Sequence, residues 1–153
     1  KINNSYYLFA KNIFFDYATD YTQKHATIAT PDTFKLSDEE YSQFVDYVIG
    51  KNFTYQLESN KYLQELVKMI KMEGYETIAD STLKVLTKQL TPDIKKDLQL
   101  FKKDILFMLE TEIVKRYYFQ KGEIEYRLRT DKWVKEAVKT IKNQDKMAAI
   151  LCP

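Results

Sequence analysis

The stretch TPDIKKDLQLFKKDILFMLETEIVKRYYFQ, Thr91 to Gln120, decides the fold. It opens on Thr91-Pro92-Asp93, which supplies a capping hydroxyl, a proline whose missing N–H is no loss in a first turn, and an acid near the positive end of a helix dipole. From there apolar residues recur at helical spacing without a break. Leu98, Phe101, Ile105, Met108 and Leu109 mark one face, and Leu100, Phe107, Val114 and Tyr118 mark another. At about 1.5 Å per residue this helix would run about 40 Å. Apolar side chains on two faces need cover on more than one side, so it is expected at the centre of the molecule. Lys121-Gly122 interrupts the pattern, and Ile124 and Leu128 carry it a little further.

Working outward, Thr130 and Asp131 are expected to cap a short helix bearing Trp133, Val134, Ala137, Val138 and Ile141, and Met147 to Leu151 reads as a last short one. Before the long helix, Leu63, Leu66, Val67 and Ile70 form the most regular apolar stripe, with Ser59 as its expected cap and Gly74 as its end. A further helix is predicted from Thr77 to Leu90. Ser37-Asp38-Glu39-Glu40 has the form of a capping box, with Leu36 as a hydrophobic staple, Tyr41, Phe44, Val45 and Val48 as the buried stripe, and Gly50 as the C-terminal cap. One helix is expected from Ser5 to His25. Pro31 and its β-branched neighbours make His25 to Phe34 a loop, and Asn52 to Gln56 an extended linker. The expectation is an all-α bundle of about six to seven helices around one long central helix, residues 1–153 forming one domain.

Composition supports that reading. Only three glycines and three prolines occur, too few for the turns of a sheet protein. With 44% hydrophobic and 30% charged residues, the chain has enough of each for a core and a solvated surface. Basic and acidic residues number 24 and 22 and interleave, so the clustered positive charge of a nucleic-acid binder is lacking. No apolar run approaches the ~20 residues that span a bilayer, so membrane insertion is not expected. The chain opens on Lys1 rather than Met, as a fragment of a longer protein would, so the lack of a signal peptide says nothing of compartment.

Chemistry is sparse. Ser5, Ser37, Ser42, Ser59 and Ser81 have no glycine neighbour to form the tight turn of a nucleophile, and Ser37 and Ser59 read better as helix caps. Cys152 with His25 is the cysteine alternative, but a near-terminal cysteine is a poor nucleophile site. One histidine and one cysteine give no metal-ligand spacing, and there is no glycine-rich phosphate loop, so neither metal nor cofactor is expected. Glu110-x-Glu112 and Glu123-x-Glu125 point their carboxylates about 200° apart on a helix, and Glu112 is better placed to pair with Arg116 one turn on. The 12 tyrosines and 9 phenylalanines are mostly core by expectation. Arg116, Tyr117, Tyr118 and Lys121 stand out as a candidate interaction surface, because tyrosine and arginine are favoured at interfaces.

Several segments together resemble a known family. They are Ile13-Phe14-Phe15-Asp16-Tyr17-Ala18-Thr19; Phe34-Lys35-Leu36-Ser37-Asp38-Glu39-Glu40-Tyr41 running into Phe44-Val45; Phe53-Thr54-Tyr55 with Glu58-Ser59; and above all Glu112-Ile113-Val114-Lys115-Arg116-Tyr117-Tyr118-Phe119-Gln120-Lys121-Gly122. In order and spacing they resemble the C-terminal region of the bacterial tail-specific, or carboxy-terminal processing, serine peptidases. The resemblance implies a parent with a PDZ module and a peptidase core, where a serine nucleophile is activated by a lysine in a dry setting. None of the core's segments is present here, so no catalytic residue is carried over and the chain is expected to be a non-catalytic tail. The resemblance also implies export to the periplasm or cell envelope, and as partners the peptidase core of the same parent or a second copy in a homodimer. The alternative reading is a free-standing helical adaptor that binds a partner protein through its aromatic face. An autonomous enzyme ranks last.

Overall fold

The computed structural model describes residues 4–143 and 147–148. They form eight helices and, among the described residues, no strand: α1 (Asn4–Ala10), α2 (Ile13–Lys24), α3 (Asp38–Gly50), α4 (Glu58–Met72), α5 (Glu76–Leu90), α6 (Ile94–Leu100), α7 (Lys102–Thr130) and α8 (Lys132–Lys142). The all-α architecture is as expected. Two predicted helices are each divided in two, and the last predicted one lies mostly outside the described residues, which makes eight.

The first division falls between Ser5 and His25. Asn12 adopts a left-handed conformation (φ 57°, ψ 19°), closing α1 and opening α2. Asparagine is one of the few residues with a side chain that tolerates this region. The second division is at Phe101, which separates α6 from α7. Helix ends leave carbonyls without partners, and here the Leu98 carbonyl accepts the Tyr41 hydroxyl at 2.6 Å, tying the break to α3. Burial pushes the Tyr41 phenol up to about 12. A straight rod could not bury both apolar faces. With the break, Leu98, Ile105 and Leu109 are all fully buried while Leu100 is turned out.

The sharpest departure lies inside α7. At Phe119 the backbone leaves helical geometry (φ 55°, ψ −155°) and the chain turns back on itself. Tyr126 donates to Glu110 Oε2, and its ring lies 5.8 Å from that of Phe107. In a straight helix these pairs would stand about 24 and 28 Å apart. The predicted interruption at Lys121-Gly122 is therefore displaced to Phe119, and Gly122 is helical and buried. A Cβ on Gly122 would overlap Tyr118 Cβ and lie 3.3 Å from Val114 Cγ1, so the returning arm needs a glycine to come this close.

Local signals were otherwise accurate, with small shifts of position. Ser37 Oγ accepts from the Glu40 amide at 3.1 Å and Glu40 Oε2 from the Ser37 amide at 2.7 Å, completing the capping box. Tyr41, Phe44, Val45 and Val48 are buried as expected, and Leu36 sits in the same core. Gly50 is the last helical residue of α3 rather than its cap. The left-handed position is Asn52 (φ 51°), and the Phe53 amide reaches back to the Val48 carbonyl to seal the turn. Gly74 (φ 80°) ends α4 as predicted. Ser59 lies within the first turn of α4, which begins at Glu58 after Leu57. Thr91 closes α5, its hydroxyl bonded to the Thr87 carbonyl, and the cap of the next helix is Asp93, which accepts from the Lys96 amide. Asp131 caps α8, accepting from the Trp133 and Val134 amides. Of the last predicted helix only Met147 and Ala148 are described, and both are helical; the rest, with Cys152, lies outside the described residues.

The core is built by α1, α2, α3, α6 and both arms of α7. Between α2 and α3, Phe14 stacks on Phe44 and Tyr17 meets the same ring edge-on. The α4–α5 hairpin packs mainly on itself, and of its stripe only Leu63 is buried. No residue of α5 or α8 is buried.

Candidate functional site

The loop over residues 25–34 has few backbone partners of its own, and α7 supplies them. Tyr117 donates to the His25 carbonyl, Tyr118 to the Ile28 carbonyl at 3.2 Å, and Arg129 to the carbonyls of Asp32 and Phe34 at 3.1 and 2.9 Å. Two members of the predicted surface, Tyr117 and Tyr118, therefore use their hydroxyls inside the molecule. Lys121 stands well out in solvent, 3.9 Å from Glu125. Arg116 points the other way, toward α2. Its Nη2 donates to the Phe15 carbonyl at 3.1 Å and its guanidinium lies 3.9 Å over the Phe15 ring. The four residues thus do not form one surface.

Arg116 instead belongs to a groove of about 530 Å³ where α1, α2 and the bend of α7 meet. Phe9, Asn12, Phe14 and Phe15 form one wall; Glu112, Lys115, Arg116, Phe119 and Gln120 form the other. Glu112 Oε1 sits 3.6 Å from Arg116 Nε, the ion pair expected from their spacing. That distance is too long for a hydrogen bond, and Nε is buried with no other partner. Three phenylalanine rings stand at the rim: Phe9 is 61% exposed, Phe15 52% and Phe119 76%. The two non-glycine residues that shape the groove with positive φ, Asn12 and Phe119, are both in its lining. Spacing marked Arg116 but could not bring α1 to it. Phe9 and Phe119 read as ordinary members of apolar runs.

A second feature involves Glu110, whose spacing to Glu112 gives no hint of its partners. Glu110 is buried, and its carboxylate joins three parts of the chain: Oε1 accepts from the Leu36 amide at 2.8 Å, and Oε2 from Tyr126. Burial, then the bond to Glu110, raises the Tyr126 phenol far above its ordinary value. This is a structural clamp, since both oxygens are occupied. Glu40 plays a similar part on the surface side, where Oε1 takes the Tyr21 hydroxyl at 2.6 Å. Burial pushes the Glu40 carboxyl up, but the bonds from Tyr21 and Ser37 outweigh it and hold the carboxyl below its usual range.

Two of the residues considered for catalysis are engaged in the fold. Ser37 is consumed as a cap. The His25 ring stacks on Tyr21 at 3.9 Å, with Nδ1 3.0 Å from the Tyr21 carbonyl, closing α2 as a C-terminal histidine should. Among the described residues no three His, Cys, Asp or Glu side chains converge as metal ligands would, and no helix is long and apolar enough to cross a membrane. The groove presents three exposed phenylalanine rings together with the Arg116 guanidinium, the Lys115 ammonium and the Glu112 carboxylate.

Comparison with curated proteins and with solved structures yields no match to this chain. A family does match. Residues 4–141 fit the family described as "Probable PDZ-protease, C-terminal helical domain", which spans every helix from α1 to most of α8. The ordered likeness of Ile13–Thr19, Phe34–Tyr41 and Glu112–Gly122 and the helical fold they build thus agree, and the chain belongs to the C-terminal helical domains of probable PDZ-proteases.

Proposed function

We propose that this domain is the non-catalytic tail of a tail-specific serine peptidase and that it docks on the peptidase portion of its own parent through the groove at the α7 bend. Phe119 carries the reading. Its backbone lies at the edge of a region that only glycine occupies freely, a strain of about 1–3 kcal/mol. A glycine would make the same bend without that strain. The chain instead holds a phenylalanine there and leaves its ring 76% exposed, beside two more exposed rings and Arg116. Exposed aromatic rings clustered about an arginine are the composition of a protein-docking site. Docking of this kind would position the tail to shape access to the active site.

The test uses the parent chain and Phe119→Gly. In the isolated domain this change relieves strain and removes little buried surface, so its urea midpoint should be unchanged or higher. In the parent, limited proteolysis should release the helical tail faster than in wild type, and turnover of an unstructured substrate should shift with it. Equal protection of the tail in both parents sinks the docking surface. A gene that encodes no PDZ module and no peptidase core with a glycine-flanked serine and a downstream lysine before Lys1 sinks the peptidase reading itself.

A further inference from the structure

Among the described helices, α8 is the most strictly divided. At 100° per residue, Trp133, Ala137, Ile141, Val134 and Val138 fall within one arc of about 140°. Lys142, Lys135, Lys139, Lys132 and Glu136 fill the opposite arc, with Thr140 at the boundary. Among the described residues nothing buries the apolar side: Trp133 is 86% exposed, Ile141 65% and Val138 43%, and no residue of the helix is buried. The polar side carries four lysines against one glutamate, whose carboxylate pairs with Lys139 at 2.8 Å.

We propose that α8 is an interfacial helix that lies on an anionic lipid surface, with Trp133, Val138 and Ile141 in the headgroup–acyl boundary and the flanking Lys135 and Lys142 reaching the phosphates. A short helix with a polar face rich in lysine, tryptophan on the other face and low overall hydrophobicity is built to lie in such a plane rather than to cross it. The excess of lysine selects this occupant. A negative surface attracts each added lysine within a Debye length, the two that flank the apolar face most strongly. Tryptophan adds preference for the interface, where its ring is half apolar and its N–H stays wet. The inference is independent of the docking groove, which shares no residue with α8.

Trp133 is the only tryptophan in the chain, so it reports its own surroundings. The intact chain is titrated with phosphatidylcholine vesicles and with two-to-one phosphatidylcholine–phosphatidylglycerol vesicles, and tryptophan emission is followed. The expected result is a blue shift on anionic vesicles, with partitioning roughly tenfold or more above neutral ones and falling as salt is added. Ile141→Glu, at an exposed position, should leave the circular dichroism unchanged and abolish the shift. Lys135→Glu with Lys142→Glu should leave the fold intact and remove the preference for anionic vesicles. Absence of a shift on either vesicle overturns the proposal, as does anionic preference that survives charge reversal. Protection of Trp133 only when a peptidase portion is present also overturns it, in favour of a protein partner.

Discussion

Replacing Tyr126 by phenylalanine removes one oxygen and tests the turn in α7. The ring keeps its contacts, with Phe107 at 5.8 Å and the Arg129 guanidinium at 4.5 Å. What is lost is a hydrogen bond to a buried carboxylate. Bonds to charged groups contribute about 1.5–3 kcal/mol, and the Glu110 oxygen left behind in the interior adds to that. Oε1 still holds the Leu36 amide, so the carboxylate is not stranded entirely. The expected loss is about 2–3 kcal/mol, a large part of the ~5–15 kcal/mol that holds a domain together. At roughly 2–4 °C per kcal/mol for a chain of this size, the midpoint should fall by about 4–12 °C. Urea and thermal melts followed by circular dichroism measure it. The double variant with Glu110→Gln removes the charge that made the orphaned oxygen costly, so its loss should fall short of the sum of the singles by about 1 kcal/mol or more. Additive losses would refute the argument, because residues at the two ends of a straight helical stretch about 24 Å long cannot couple.

Other consequences are simpler to check. Leu109→Ala or Ile105→Ala, each fully buried in the first arm of α7, should cost about 2–5 kcal/mol in a urea melt, and a loss under 1 kcal/mol would mean that the buried face is assigned wrongly. Gly122→Ala drives a methyl into Tyr118 Cβ and should destabilise by about 1–3 kcal/mol, although alanine is the better helix former; a gain in stability would show that the two arms are not in contact. The carboxyl of Glu40 is held below its ordinary value of 4.5, so its bonds to Tyr21 and Ser37 stabilise the fold above that pH and are lost as pH falls through the lower folded value. Glu40→Gln should therefore narrow the stability difference between pH 7 and pH 3, and an unchanged acid limb in the variant would contradict the bonding described.

The groove was only partly legible. Arg116 drew attention through its tyrosine neighbours, yet those tyrosines fasten a loop and the arginine faces Phe15, about a hundred residues earlier in the chain. Phe119 could not be distinguished from the apolar residues around it, because nothing in its immediate neighbours announces a positive φ. Glu110 was weighed only against Glu112, its neighbour in sequence, whereas its partners are Leu36 and Tyr126.

The sequence alone determined the helical class, the Ser37–Glu40 capping box, the stop at Gly74, the Asp131 cap and the Glu112–Arg116 pair. All of these are interactions within about one helical turn, so residue types at fixed short offsets carry the whole signal. Tertiary structure alone decided that the predicted 40 Å spine is broken at Phe101 and folded back at Phe119. Local propensity favours continuing the helix at both places. It is overruled at Phe119 because a straight rod would keep Glu110 and Tyr126 about 24 Å apart, whereas the bent chain brings them into hydrogen bonding.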